Sequence, residues 1–311
     1  MRRRRIVAIA AGSLAVLVVV FAITGILTLR SPWFHEQVRL RILSTIQEAT
    51  GGRAELASYT FDWRGLRAVL RGFVLRGTEP AGKPPLFQAD SITIGLKVVS
   101  LLRRDVDIRT LDIENPRIHL IVYPGGETNI PRPRIPRKGE STPVETLLNL
   151  AVGRFSLQNG LFEVEGRASI PFDARGRNLD ARFAYEFAGP RYLGNLSIEP
   201  LNVEWAGQAP VPFGVRLAAV VERDRITISS GRLATGDSHI DFSGALENLV
   251  SPRASLRYDL RASGSDAARL LRLRGLAGGA IQAAGTAAWA APGGYSATGN
   301  VHAFGLEFRR G

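Results

Sequence analysis

The first change of pattern along the chain comes at its start. Four arginines at positions 2–5 are followed by residues 6–29, 24 residues without a charge. At about 1.5 Å per residue this stretch makes a helix of about 36 Å, enough to cross a hydrocarbon core. The arginines belong on the cytoplasmic side, which puts the bulk of the chain on the far side. A cleaved secretory signal is the alternative. Its apolar core runs to only about 7–15 residues and ends in small residues, unlike Arg30-Ser31-Pro32-Trp33. The reading is a single-pass anchor with residues 1–5 as a cytoplasmic tail. Residues 31–50 then show Phe34, Val38, Ile42 and Ile46 at helical spacing. Ser31 suits the cap, Pro32 the first turn, and Gly51-Gly52 the end of this amphipathic helix. Its stripe reads first as a docking face for the fold and second as a lipid contact.

From Gly52 the period becomes two. Ile92, Ile94, Leu96 and Val98 alternate with Ser91, Thr93 and Lys97. Phe213, Val215, Leu217, Ala219 and Val221 repeat the pattern. So do Ala254, Leu256, Tyr258 and Leu260, set against Ser255, Arg257, Asp259 and Arg261. Between Val106-Ile108 and Leu111-Ile113 the phase slips by one residue, which predicts a bulge near Thr110. Asn159-Gly160 between two apolar runs predicts a hairpin turn. About a dozen strands are expected. Helices are expected only at 32–50, near 143–152 and near 265–273. Four prolines within 131–143 mark a linker, so residues 31–130 form one β unit and 144–311 a second.

A sheet that is apolar on one face needs something against that face. A second sheet, the same sheet curled over, or a ligand would each serve, and the pattern leaves all three open. An acyl chain would need a continuous apolar track open along one side. Ile92, Ile94, Leu96, Ile118, Leu120, Phe213, Val215 and Leu217 are the candidates for such a track. Alternation alone reads them as the core of an ordinary sandwich.

Composition narrows the function. The net charge is +12, four of it in the N-terminal arginines and the rest interleaved with acids. No basic helix or aromatic–basic motif marks a nucleic-acid binder. There is no cysteine, which excludes thiolate chemistry and disulfides. His35, His119, His239 and His302 are scattered, without metal-ligand spacing. His119, with Arg117 and Tyr123 on its face, and the pair Glu163 and Glu165 read as solvated strand faces. Gly125-Gly126 reads as a turn. Neither a nucleophile elbow nor a phosphate loop is present. The expectation is a non-enzyme with no catalytic residues, no cofactor and no metal.

Several short motifs recur in a known order. Trp33-Phe34 opens the helix that ends at Gly51-Gly52. Phe61-Asp62-Trp63 and residues 66–77 follow, then Asp90-Ser91-Ile92-Thr93-Ile94-Gly95-Leu96 and Ser100-Leu101-Leu102. Residues 111–120 and the run Gly125-Gly126-Glu127-Thr128-Asn129-Ile130 close the unit. This order resembles the start of the AsmA-like family, TamB type. Residues 231–246 and 285–301 are similar to its strand–turn–strand units in a looser way. The resemblance implies a mainly β fold: an N-terminal transmembrane helix followed by an elongated, curled antiparallel sheet, a taco-like groove with an apolar inside and a few short helices. It also implies a bacterial inner-membrane protein with its bulk in the periplasm. Such a protein would move phospholipid toward the outer membrane, or assist protein assembly and secretion with a TamA-like outer-membrane barrel as partner. Relatives of the TamB type are much longer and carry a C-terminal domain that has no counterpart here. A dozen strands reach only about 60 Å, so the chain reads as a portion or a short member.

Overall fold

The structure is a computed structural model that describes residues 31–97, 107–124, 126–131, 148, 151–167, 171–205, 209–249, 251–271, 276–290 and 294–308. The expected anchor at 6–29, most of the linker and most of the expected helix at 143–152 lie outside these residues. Among the described residues no helix is long and apolar enough to cross a membrane.

Helix α1 (Pro32–Thr50) opens the described chain and is followed by β1 (Arg53–Asp62), β2 (Arg67–Arg76), β3 (Phe87–Leu96), β4 (Ile108–Glu114), β5 (Arg117–Val122), β6 (Arg154–Gly166) and β7 (Phe172–Glu186). Then come β8 (Arg191–Trp205), β9 (Val211–Glu222), β10 (Arg225–Thr235), β11 (Ser238–Glu247) and β12 (Arg253–Ser263). Helix α2 (Gly264–Leu271), β13 (Leu276–Ala290) and β14 (Gly294–Phe308) complete it. All fourteen strands belong to one sheet in near-sequential order, with β5 beside β3 and β6. A second sheet opposite the apolar face is therefore ruled out among the described residues.

Two expectations are corrected. The sheet is mixed rather than antiparallel, because β4 and β5 both run parallel to β6. Together they form one interrupted strand, broken at Asn115-Pro116, where proline has no N–H to donate. The ladder bridges the break, with Asn115 N–H donating to Gln158 O (3.0 Å) and Leu161 N–H to Pro116 O (2.7 Å). A parallel neighbour needs a long connection, and thirty-one residues, 123–153, separate β5 from β6 in the sequence. Asn159-Gly160 is not a hairpin turn either, since β6 runs straight through it. Asn159 takes φ 56°, and the register shifts on both sides of Gly160. The dipeptide is a bulge within a strand. The bulge expected near Thr110 is present: Gly95 faces Thr110, while Leu96 faces Ile108.

Such irregularities line up. Gly72 (φ 62°) in β2 faces the Ala57 side chain in β1. Next across are Asp90, then Asn115 (φ 49°), Asn159, and Asn178 (φ 52°) in β7. In β8 the register shifts between Ile198 and Leu201. Side chains stitch the line together: Asn115 Nδ2 donates to Asp90 Oδ2 (3.0 Å), and Asn178 Nδ2 to Glu199 O (2.8 Å). At this crease the in–out alternation flips on each strand. The flips keep apolar residues on one face along the whole length of each strand.

The two outer edges are treated differently. Helix α1 lies along β1, with Ile42, Leu43 and Ile46 packed on Leu56, Leu70, Phe73 and Ile92. Of the predicted stripe, Ile42 and Ile46 dock on the fold, joined by Leu43. Gly51 (φ 76°) ends the helix, its N–H bonded to Gln47 O at 2.8 Å. At the other edge, every residue of β14 is exposed.

Candidate functional site

Residues paired across a ladder share a face, so the pairings can be followed across the sheet. One row runs Phe61, Ala68, Ile94, Leu111, Phe155, Phe183, Gly194, Ala219, Ile228, Gly244, Leu256, Ala287, Ala297. The next runs Tyr59, Leu70, Ile92, Ile113, Leu157, Ala181, Leu196, Leu217, Gly231, Phe242, Tyr258, Gly285, Gly299. Neither row contains a charge. At about 4.8 Å per strand each spans about 58 Å.

The eight residues singled out from the sequence all fall on this face. Ile94 stands in the first row, and Ile92 and Leu217 in the second. Ile118 and Phe213 share a shorter row through Phe162, Gly176 and Leu201. Val215 pairs with Ile198 and Leu233. Leu120 pairs with Val164, and Leu96 with Ile108. Ile92 is buried beside α1, while the other seven are half-buried.

Cover is uneven along the sheet. Over one end of β4 and β7–β9 sit Leu148 and Val152, packed with Tyr192, Phe183, Tyr185 and Val221. Val152 N–H donates to the Tyr192 hydroxyl at 2.8 Å. Burial pushes that phenol's pKa up, partly offset by the bond from Val152. At the opposite end α2 is fastened where β10 meets β11. Ser263 caps α2 by accepting the Asp266 N–H (3.1 Å). The Asp266 carboxylate in turn accepts Ser238 Oγ–H (2.6 Å), Asp237 N–H (3.0 Å) and an Arg269 N–H (2.7 Å). Burial alone would raise its pKa, but these bonds hold it below the usual range. Between the two covers Leu217, Ile228, Leu233, Ile240, Phe242, Leu256, Tyr258 and Leu260 remain half-exposed.

Local chemistry keeps the face smooth. Phe172 pairs with Gly166, Phe183 with Gly194, Phe242 with Gly231 and Tyr258 with Gly285. The Phe172, Phe183 and Phe242 rings occupy the space in which a Cβ on their glycine would stand, and the Tyr258 hydroxyl does the same at Gly299. Each glycine lets a ring lie down on its neighbour strand. Sequence reasoning missed these aromatic–glycine pairs. Glycines at inward positions of period-two runs were the available signal.

The opposite face is polar. Asp180, Ser197, Arg216, Arg232, Asp241 and Asp259 stand side by side on β7–β12. Arg232 grips Asp241 through two bonds of 2.6 and 2.7 Å, and Arg216 reaches Glu199 at 3.0 Å. Hollows of about 670 and 560 Å³ lie mostly on this side, the larger beside Arg182, Arg216 and Arg232.

His119 corrects the sequence reading. It is 3% exposed rather than solvated, because residues 78–86 fold back over the polar side of β5. Its Nδ1 lies 3.3 Å from Pro84 O and its Nε2 2.9 Å from Glu165 Oε1. Lys83 Nζ donates to both Glu165 oxygens (3.0 and 2.8 Å), and Arg167 also donates to it. Burial pulls the Glu165 pKa up, but these three partners outweigh it and hold it at about 2. Beside this knot Asn129, 0% exposed, acts as a strand for β5: its side chain accepts Ile121 N–H and donates to His119 O, each at 2.9 Å.

Among the described residues no group of three or more His, Asp or Glu side chains could hold a metal ion. No family model matches the chain, and no curated protein does.

Proposed function

We propose that this protein is a membrane-anchored, non-enzymatic carrier of phospholipid, whose apolar sheet face forms a curled groove for acyl chains. The observation that carries the reading is the pair of uninterrupted apolar rows that crosses the sheet from β1 to β14. Acyl chains laid along them lose water at about 0.8 kcal/mol per CH₂, while headgroups stay wet at the open side. Smoothness matters for passage, and the aromatic–glycine pairs leave few steps for a chain to catch on. The anchor expected at 6–29 directly precedes α1 on β1, so the β1 end of the rows meets the inner membrane and the β14 end points away into the periplasm. Flow follows concentration or partners, an outer-membrane barrel among them, rather than a nucleotide.

The test is site-specific photocrosslinking of the full chain in cells grown with labelled phosphate. A photoreactive phenylalanine analogue replaces Leu217 or Phe242 on the apolar face, or Arg216 or Arg232 on the polar face. Labelled phospholipid adducts at 217 and 242 but not at 216 and 232 support the carrier. No adduct at 217 and 242, or equal adducts on both faces, sinks it.

A further inference from the structure

We infer, resting on the anchor of the proposed function but not on what the groove carries, that the polar face of the β1–β2 hairpin docks on an anionic bilayer surface. The contact is made by arginines that have no acid partner among the described residues.

Helix α1 packs on the apolar side of this hairpin, with Ile42, Leu43 and Ile46 against Leu56, Leu70 and Phe73. On the other side Ser58, Thr60 and Arg71 are exposed. Register places four arginines there: Arg53 faces Arg76, Arg71 faces Ser58 and Arg67 faces Asp62. Arg64 stands in the turn between the strands, and all five are exposed. Residues 53–77 hold these five arginines and two acids, Glu55 and Asp62, a net charge of +3. The Asp62 carboxylate is turned onto its own loop, where it accepts the N–H of Arg64 (3.0 Å) and of Gly65 (3.1 Å). Several arginines farther along the sheet have acid partners: Arg191 has Glu186, Arg225 has Glu247 and Arg232 has Asp241. Among the described residues none of the five hairpin arginines has one. Arg53 and Arg76 even stand directly opposite each other. Like charges so placed weaken a ladder, and an anion brought from outside removes that repulsion.

Position selects a bilayer as the source of that anion. The span expected at 6–29 ends just before α1 begins at Pro32. Helix α1 runs antiparallel to β1: Gln47 Nε2 donates to Ala54 O (3.2 Å) and Arg39 Nη1 to Leu56 O (2.9 Å). Its first turn therefore points toward the hairpin tip. At that tip Trp63 is 44% exposed and held edge-on to Phe61, their rings 4.4 Å apart. Tryptophan settles at the headgroup level of a membrane. Each arginine close to an anionic bilayer adds to the attraction, which fades within a Debye length of about 8–10 Å. The hairpin next to the anchor is the part of the sheet held within that range.

The chain has no cysteine, so Ser58→Cys or Ser255→Cys, both exposed on the polar face, carries a single nitroxide. The full chain is reconstituted into vesicles of phosphatidylcholine alone or with about 30% phosphatidylglycerol, at about 0.02 M and about 0.5 M salt. A trace of lipid bears nickel on its headgroup, and collision of the nitroxide with nickel reports contact with the bilayer surface. At low salt, collision at position 58 is expected to be about threefold or more higher in the anionic vesicles. High salt should return it to the phosphatidylcholine level. Arg71→Glu with Arg76→Glu should do the same, whereas Arg71→Lys with Arg76→Lys should keep it. Position 255 should collide little throughout. Equal collision at 58 in the two lipids, collision that survives salt or the two glutamates, loss with the two lysines, or equal collision at 58 and 255 each overturns the docking. If circular dichroism shows that the glutamate variant does not fold, the lipid and salt contrasts still decide. A chain that alkaline carbonate strips from the vesicles refutes the anchor instead, and the docking is then decided by the same contrasts with vesicles added from outside.

Discussion

Phe242 stands directly across from Gly231, and its ring fills the place where a side chain on residue 231 would begin. The pair sits in the second apolar row, between Leu217 and Tyr258. Gly231→Ala would force the ring up or the strands apart, at about 1–3 kcal/mol. Denaturant unfolding should show that loss. Phe242→Leu added to Gly231→Ala should recover part of it, since the smaller side chain can move aside. Equal stability of Gly231→Ala and the parent would mean that the ring is not seated there.

Leu217 and Arg216 are chain neighbours on opposite faces. Leu217→Asp places a charge in the second apolar row and should cut co-purifying phospholipid about tenfold or more, equivalent to about 1.4 kcal/mol. Arg216→Glu should leave it unchanged. Lipid extraction followed by mass spectrometry on both variants, with circular dichroism as the control for folding, gives the comparison.

Glu165 predicts an acid limb. Its pKa is held at about 2 in the fold against an ordinary value of 4.5. A depressed carboxyl stabilises fully above its unfolded value, and that stabilisation drains away as pH falls from about 4.5 toward 2. The parent should lose stability across this window. Glu165→Gln should start about 1–3 kcal/mol lower at neutral pH, having lost its charge-assisted bonds, and lose less as the acid is added. Chemical denaturation at a series of pH values would read both curves.

Asp266 ties α2 to the β10–β11 turn. Asp266→Ala strips partners from Ser238 Oγ–H, Asp237 N–H and Arg269, costing about 1–3 kcal/mol. Amide exchange should speed up in α2 and around residue 238 before anywhere else. Uniform exchange across the sheet would mean that the helix is held by apolar contacts such as Ala267 alone.

Much of the fold was legible in the sequence because alternation is a local property. The faces of β3, β9 and β12 follow from their own residues, and so do α1, the location of α2 and the bulge at Thr110. What escaped was pairing. Asn159-Gly160 has the chemistry for positive φ, and that chemistry serves a hairpin and a bulge equally; only the neighbours β5 and β7 decide between them. His119 looked solvated because its cover, residues 78–86, lies more than thirty positions away. The parallel join at β6 is a choice of neighbour, β4 and β5 beside β6, which no periodicity encodes. The candidate track is a middle case. Its eight members lie on one face of the sheet, yet what stands against that face depends on how strands distant in the chain pair, which alternation does not encode.

The crease through Gly72, Asn115, Asn159 and Asn178 has a mechanical meaning. A flat sheet bends easily about any line in its plane, whereas a card folded once resists bending across the fold. The line of bulges and positive-φ residues runs from β1 to β8 and is pinned by side-chain bonds from Asn115 to Asp90 and from Asn178 to Glu199. That half of the molecule should behave as a stiff beam, while β11 and β12, which pair without any shift, stay free to twist. Force applied at the far end would be taken up in the second half, leaving the part nearest α1 in shape.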